Sequence, residues 1–173
     1  RRSDNNFSAT WIKGRNYAPN KSAVYRIPAL VVTRKGTLLA FAEARASKFD
    51  WGNIRLVVKR SEDNGKTWGP EIDTSKGKFP DHKNGNPVPI VDHETGRIFL
   101  INHRNPSGRV HAGDQKIVIT HSDDDGMTWS DAQSIPMGEW LPEGFNWMLT
   151  GPGHGIQLRQ GQHKGRLIVP CYG

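Results

Sequence analysis

Two stretches of the same pattern decide the fold: SEDNGKTW at residues 61–68 and SDDDGMTW at residues 122–129. Both fit Ser-x-Asp-x-Gly-x-Thr-Trp, and their first residues, Ser61 and Ser122, lie 61 positions apart. The pattern indicates a tight turn, because the Asp accepts hydrogen bonds from the backbone two residues on and the Gly supplies a positive φ angle. We expect Thr and Trp to resume the strand, with the indole packed beneath the turn.

The aspartates of these motifs, Asp63 and Asp124, resemble calcium ligands at first sight. The sequence around them lacks the alternating ligands and the terminal Glu of an EF-hand loop. The pattern therefore predicts a structural role for both carboxylates and no metal site.

Short apolar strands surround each motif in a repeating order. A Pro-bearing strand and polar turn precede a strand that opens with Gly, and a further strand then leads into the motif. The Pro-bearing segments are 27–35, 86–95 and 151–164, the Gly-led strands are 36–43, 96–103 and 165–172, and the further strands are 54–60 and 116–120. A unit of about 60 residues with about four short strands is typical of one β-propeller blade.

The repeat predicts an all-β protein in which this chain supplies about two and a half propeller blades. The third unit ends at Gly173, after its second strand. Two and a half blades cannot close a ring, so we expect the chain to be a fragment or one part of a larger assembly. The first residue is Arg1 rather than Met, which also suggests that residues were removed or left out.

Composition agrees with this architecture and limits the partners. Hydrophobic residues make up 35% of the chain, beside 19 Gly, 11 Pro and 6 Trp. The net charge of +7 favours an anionic partner, but the Lys and Arg residues are scattered, which argues against nucleic acid. No apolar run reaches membrane-spanning length, and the lone Cys171 excludes an intrachain disulfide. The sequence leaves the compartment open; a secreted or periplasmic location is compatible with it.

Arg26 lies in the apolar stretch YRIPAL at residues 25–30. An unpaired buried charge costs several kcal/mol, so this guanidinium needs an anionic partner. Two alternatives fit the position equally well: a structural carboxylate, or an anionic ligand that the planar guanidinium binds with two hydrogen bonds.

YRIPAL, together with two Asp motifs at blade spacing, resembles the sialidases, also called exo-α-sialidases or neuraminidases. Further agreement comes from FAEARASKFD at residues 41–50, GNP at 85–87 and TGPGH at 150–154. The resemblance implies a six-bladed β-propeller of about twice this length. Residues 24–173 would form the first part of that domain, and residues 1–23 a loosely held segment before it.

The resemblance implies an exo-sialidase that hydrolyses terminal α-linked sialic acid from glycoproteins, glycolipids or oligosaccharides with retention of configuration. Arg26 matches the first of three arginines that hold the sialic acid carboxylate, and Arg45 the arginine near the carboxylate and the 4-hydroxyl. Asp50 matches the acid/base, Asn86 a polar contact to the 4-hydroxyl region, and Tyr172 a pocket tyrosine. The resemblance implies no cofactor and no metal.

The tyrosine nucleophile, its Glu partner and two further arginines of the family match nothing in this chain. We therefore expect the 173-residue chain alone to be inactive and to need the other half of the propeller. A propeller that binds sialylated glycans without cleaving them is the alternative. Phe49, Trp51, Trp147 or Met148 could line the recess for the N-acetyl group, and the sequence does not choose among them.

Simpler roles are also open for several polar residues. Arg45 and Asp50 could pair with each other across a loop, and Glu43 is equally placed to neutralise Arg45. His154 is expected to support the backbone, because no partner residue has ligand spacing. The remaining histidines are expected at the surface: His82, His93, His103, His111, His121 and His163.

Overall fold

The structure, a computed structural model, describes residues 24–75, 83–106, 115–137, 143 and 147–173, so the predicted segment 1–23 lies outside the described residues. The described residues form β-strands only, and no helix among them is long and apolar enough to cross a membrane. The strands are β1 Val24–Val32, β2 Leu38–Arg45, β3 Ile54–Ser61, β4 Ile72–Asp73, β5 Lys83–Val91, β6 Ile98–Asn105, β7 Lys116–Ser122, β8 Gln133–Ile135, β9 Leu149–Thr150, β10 Ile156–Gln157, β11 Leu167–Ile168 and β12 Cys171–Tyr172.

The first eight strands form two consecutive antiparallel meanders, β1 to β4 and β5 to β8. In the described part of the chain, one parallel backbone pairing links the two meanders, between Ile54 and Lys83. Each meander is a four-stranded propeller blade, which confirms the predicted all-β repeat.

The main core lies between the two blades. Large apolar side chains from both blades form one cluster: Leu39, Phe41, Leu56 and Val58 with Val91, Ile98, Leu100 and Trp129. Trp129, the last residue of the second motif, lies edge-on to Phe41 of the first blade, with ring centroids 5.6 Å apart. Burying each such side chain contributes about 1.5–3 kcal/mol, so this cluster fixes one blade against the next.

The Asp motifs form closed turns, as predicted, but over a longer span. Asp63 Oδ1 accepts hydrogen bonds from the Thr67 backbone N–H (2.9 Å) and the Ser61 hydroxyl (2.8 Å), and Oδ2 accepts from the Thr67 hydroxyl (2.5 Å). The backbone donor is therefore four residues on rather than two. The Thr67 hydrogen bonds lower the pKa of Asp63 to about 2. The second motif repeats these contacts around Asp124.

The expectation that Thr and Trp resume the strand is wrong for both motifs. The next strands begin only at Ile72 and Gln133. Thr67 closes the turn, so its backbone N–H already donates to Asp63 and is not available to a strand partner. The positive φ predicted for the motif glycines is found, at 84° for both Gly65 and Gly126.

The second motif also clamps the two blades together. Asp125 Oδ2 accepts hydrogen bonds from the Thr37 hydroxyl (2.6 Å) and Arg60 Nη2 (3.0 Å), both on the first blade. A Cβ atom on Gly126 would lie 2.9 Å from the Leu39 side chain. This turn therefore packs directly against the neighbouring blade.

Each Pro-bearing strand has the same irregularity. The residue before the proline has a positive φ angle in all three units: Ile27 (53°), Asn86 (50°) and Gly151 (61°). In β1 and β5 the pairing register shifts at this point, which is the mark of a β-bulge. Bulges re-aim side chains, and a β-branched residue such as Ile27 rarely adopts this conformation. The bulges therefore set the direction of Arg26 and Asn86.

The single strand expected at 165–172 is wrong. The segment forms two short strands, β11 and β12, which pair with different partners, β10 and β9. Pro170 lies between them and has no N–H to donate, so it cannot continue a ladder. The third unit therefore contributes a partial blade, in which Tyr172 pairs with Leu149.

Candidate functional site

Arg26, Arg45 and Asp50 meet at one point beside the first blade. Asp50 Oδ1 lies 3.0 Å from Arg26 Nη1 and 2.6 Å from Arg45 Nη1, so one oxygen accepts from two guanidinium groups. Arg26 is on β1 next to its bulge, and Arg45 is the last residue of β2, which pairs with β1. Asp50 reaches them from the loop that joins β2 to β3.

Arg45 is held in place by Glu43 from the same strand. Their side chains are only 3% and 1% exposed, and Arg45 Nε donates to Glu43 Oε2 at 2.6 Å while its Nη2 contacts the same oxygen. Arg45 Nη1 also donates to the Phe49 carbonyl at 3.0 Å, which anchors the loop that carries Asp50. Both simpler roles considered from the sequence occur together: Arg45 pairs with Asp50, and Glu43 neutralises Arg45.

Glu43 also joins the first blade to the second. Its Oε1 accepts the backbone N–H of Asn86 at 2.8 Å. The Asn86 side chain donates to the Tyr172 hydroxyl at 3.2 Å, and the Thr150 hydroxyl donates to the Asn86 carbonyl at 2.8 Å. Through these contacts the structure connects all five residues singled out from the sequence across three successive units.

Sequence reasoning missed two buried basic residues behind this group, and the expectation of a surface position for His103 is wrong. His103 is 1% exposed and Lys83 is 5% exposed. A Cβ atom on Gly85 would lie 2.4 Å from the His103 ring, so the glycine of the GNP segment makes room for the imidazole. Gly85 was therefore the signal in the sequence that a bulky side chain packs against this strand.

Burial lowers the pKa of both residues. Burial, with the nearby charges of Lys83 and Arg45, lowers the pKa of His103 to about 3, so the imidazole is neutral near pH 7. Neither ring nitrogen has a hydrogen-bond partner among the described residues. Burial also lowers the pKa of Lys83, while Glu43 and Asp50 act against that change.

The group carries a net positive charge that suits an anion. Arg26, Arg45 and Lys83 face the two carboxylates of Glu43 and Asp50. The Arg45 hydrogen bond, helped by the charges of Arg45, Arg26 and Lys83, lowers the pKa of Asp50, whose side chain is 59% exposed. The arrangement can therefore bind a carboxylate, and it holds an accessible acidic group directly beside that position.

The four residues considered for the N-acetyl recess lie in three different parts of the structure. Phe49 and Trp51 flank Asp50 on its loop and stack on each other, with ring centroids 4.7 Å apart. Trp147 lies edge-on to Tyr172 at 6.3 Å, and Met148 packs against the core of the second blade.

Metal ligation has no support in the described ranges, where no group of three or more His, Cys, Asp or Glu side chains lies close enough together to hold an ion.

Comparison with known proteins assigns the chain to a family. A family model described as a BNR repeat-like domain matches residues 36–173. The chain is 34% identical to Sialidase-3 of Bos taurus over 164 residues, which cover 88% of the chain and 37% of that protein. It is 37% identical to Sialidase-2 of Rattus norvegicus over 163 residues, which cover 86% of the chain and 42% of that protein.

A solved structure named Hadza microbial sialidase Hz136 matches with a TM-score of 0.75 and 28% identity, over 88% of the chain and 33% of its own length. This match confirms the predicted sialidase-type β-propeller. The chain thus spans about two fifths of the two relatives, at 37% and 42% of their lengths.

Proposed function

The chain belongs to the sialidase family of glycoside hydrolases through its BNR repeat-like domain, and from this we propose that the full-length protein is an exo-sialidase. It would hydrolyse terminal α-linked sialic acid from glycoproteins, glycolipids or oligosaccharides, with retention of configuration. The 173-residue chain alone would be inactive, because the residues that the family uses as nucleophile and its base match nothing in it.

The single observation that carries the proposal is the contact between Arg26 and Asp50 at 3.0 Å. In sialic acid the carboxylate and the glycosidic oxygen are both attached to the anomeric carbon. An arginine that binds the carboxylate and an acid that protonates the oxygen must therefore be neighbours. Arg26 and Asp50 satisfy this condition, and Arg45 holds Asp50 and its loop in place through hydrogen bonds to the Asp50 carboxylate and the Phe49 carbonyl.

In the proposed reaction Asp50 gives its proton to the glycosidic oxygen as the bond between that oxygen and the anomeric carbon breaks. Retention requires an intermediate nucleophile, and a tyrosine serves in sialidases, whose substrate carboxylate would repel an anion. As that bond breaks, the tyrosine oxygen bonds to the anomeric carbon and the phenol proton passes to the Glu partner. In the second step Asp50 removes a proton from water, whose oxygen bonds to the anomeric carbon as the tyrosine oxygen leaves and takes its proton back. The products are free sialic acid and the alcohol.

Asn86 and Tyr172 complete the proposed pocket. Their side chains are hydrogen-bonded to each other, and the Asn86 backbone N–H donates to the buried Glu43 carboxylate. We assign Asn86 to the 4-hydroxyl region of the sugar and Tyr172 to the pocket wall. Sialylated glycans are therefore the proposed partners.

The experiment compares two variants of the full-length protein on two substrates, sialyllactose and an aryl sialoside whose phenol leaves without protonation. Arg26→Lys keeps the charge but loses the two-hydrogen-bond match to a carboxylate, so kcat/KM should fall at least about a hundredfold on both. Asp50→Asn removes the proton donor, so kcat should fall about 10²–10⁴-fold on sialyllactose and far less for the first step of the aryl sialoside.

Equal losses of Asp50→Asn on both substrates would show that Asp50 only binds the sugar. A full-length protein that binds sialyllactose but cleaves neither substrate would instead be a glycan-binding propeller.

A further inference from the structure

We propose that Phe49 and Trp51 form a platform for the leaving sugar, the residue to which sialic acid is attached. The two rings stack 4.7 Å apart with an angle of 11° between their planes. They are 46% and 55% exposed, and they stand on either side of Asp50 in the sequence. This inference rests on the proposed exo-sialidase function and names the part of the substrate that these side chains would contact.

The position of Asp50 indicates that the part of the substrate near these rings is the leaving sugar. A general acid must come within about 2.6–3.2 Å of the atom it protonates, which is the glycosidic oxygen. The Asp50 oxygen that contacts Arg26 and Arg45 faces the carboxylate side of the site. Phe49 and Trp51 flank Asp50 in a short loop whose ends are joined at Ala46 and Asn53, and the proposal places their rings beside the oxygen that the leaving sugar carries.

The chemistry of the pair fits a neutral sugar. Aromatic rings present a large, flat apolar surface, and a galactose ring has one face of C–H groups that can lie on such a surface. Trp51, the more exposed ring, supplies that surface, while Phe49 packs against it and has the Lys48 ammonium 5.7 Å from its centroid. Exposed aromatic side chains held together in this way are typical of binding surfaces.

The loop is also positioned before any ligand arrives. The Phe49 carbonyl accepts a hydrogen bond from the buried Arg45, and the ends of the loop are joined by a hydrogen bond from Ala46 N–H to the Asn53 carbonyl at 3.3 Å. A preordered platform loses less conformational entropy on binding.

The test uses the full-length protein with the variants Trp51→Ala and Trp51→Phe, and two substrates that differ only in the leaving group, sialyllactose and methyl α-sialoside. Trp51→Ala should lower kcat/KM for sialyllactose about tenfold and leave the value for methyl α-sialoside within about twofold. Trp51→Phe, which keeps an aromatic surface, should recover most of the loss. Met127→Ala is the matched control, since Met127 is 57% exposed on the second Asp motif, and it should change neither value.

A third measurement separates this role from contact with sialic acid itself. The unsaturated inhibitor 2,3-didehydro-2-deoxy sialic acid carries the carboxylate and the N-acetyl group but has no leaving sugar. Its inhibition constant should be the same in wild type and Trp51→Ala. Weaker inhibition, or equal losses on both substrates, would overturn the proposal and place Trp51 against the N-acetyl group or in the scaffold.

Failure of the proposed function would be recognised separately, because the wild type would then cleave neither substrate. In that event the dissociation constants of sialyllactose and methyl α-sialoside, measured by calorimetry for wild type and Trp51→Ala, carry the test. A preference for sialyllactose that Trp51→Ala abolishes supports the platform, and an unchanged ratio refutes it.

Discussion

Replacing Glu43 by Gln should destabilise the protein more than any exposed charge substitution, by about 3–5 kcal/mol. Glu43 is 1% exposed and its carboxylate contacts Arg45, which is 3% exposed. Glutamine has nearly the same volume and keeps an oxygen for the Asn86 N–H, but it removes the charge. The Arg45 cation would then remain buried, with the exposed Asp50 as its only carboxylate partner among the residues described.

The chain offers a matched control at Glu62, which also pairs with an arginine. Glu62 lies 2.9 Å from Arg60 Nη2, but its side chain is 71% exposed. Solvent screens such a pair, so Glu62→Gln should cost less than about 1 kcal/mol. A loss of 3–5 kcal/mol is a large part of the 5–15 kcal/mol that stabilises a typical domain, so the difference between the two variants is easily measured.

The assay is urea unfolding of the full-length protein for wild type, the single variants Glu43→Gln, Glu62→Gln and Arg45→Met, and the double variant Glu43→Gln/Arg45→Met. Removing the cation as well should recover part of the loss, because no uncompensated buried charge remains. The reasoning is refuted if Glu43→Gln costs no more than Glu62→Gln, or if the double variant is as unstable as the sum of the single variants.

Three further expectations concern stability. Asp124→Ala should cost about 1–2 kcal/mol in urea unfolding through lost turn hydrogen bonds, and calcium chelation should cost nothing; an equal effect of chelation would restore the metal hypothesis. His103 has a folded-state pKa of about 3, below the unfolded value of 6.5, so its contribution to stability is complete above pH 6.5 and decreases as the pH falls toward 3. The melting temperature should follow that trend, and His103→Leu should flatten it between pH 4.5 and 6.5; a parallel profile would contradict the assignment. Gly126→Ala should lower the melting temperature more than Gly36→Ala, because both have positive φ but only the first adds a contact with Leu39, and equal losses would refute the clamp.

The parts of the fold that depend on local turn chemistry could be predicted from the sequence. The Asp63 and Asp124 motifs repeat at a fixed spacing, and the side chain, the backbone donors and the glycine that form each turn all lie within a few residues. The start of the strand after each motif could not be predicted. The hydrogen bonds that close the turn extend to Thr67, so the strand begins several residues later than the pattern suggests. Likewise Pro170 divides a strand that hydropathy alone shows as continuous.

Burial within the blades was harder to predict. Strand β5 is buried at every position, because β1 and β2 of the first blade pack on one side of it and β9 and β10 of the third unit on the other. Alternation of polar and apolar residues therefore carries little information there, and the buried positions of Lys83 and His103 were missed. The residues Arg26, Arg45 and Asp50 could be named from the family resemblance, but the shared oxygen of Asp50 depends on a bulge and a loop whose geometry the sequence does not state.

That shared oxygen has a consequence for how a ligand enters. Before a sialoside arrives, Asp50 already occupies one side of the Arg26 guanidinium. A sugar carboxylate that binds Arg26 therefore replaces the Asp50 carboxylate as the anion paired with that arginine. The number of negative charges paired with Arg26 stays the same. Since Arg26 helps to lower the pKa of Asp50, losing this contact raises that pKa and increases its affinity for a proton. If the proposed function holds, sialoside binding and proton uptake by Asp50 are therefore one coupled equilibrium, in which the arriving carboxylate favours protonation of the proposed acid.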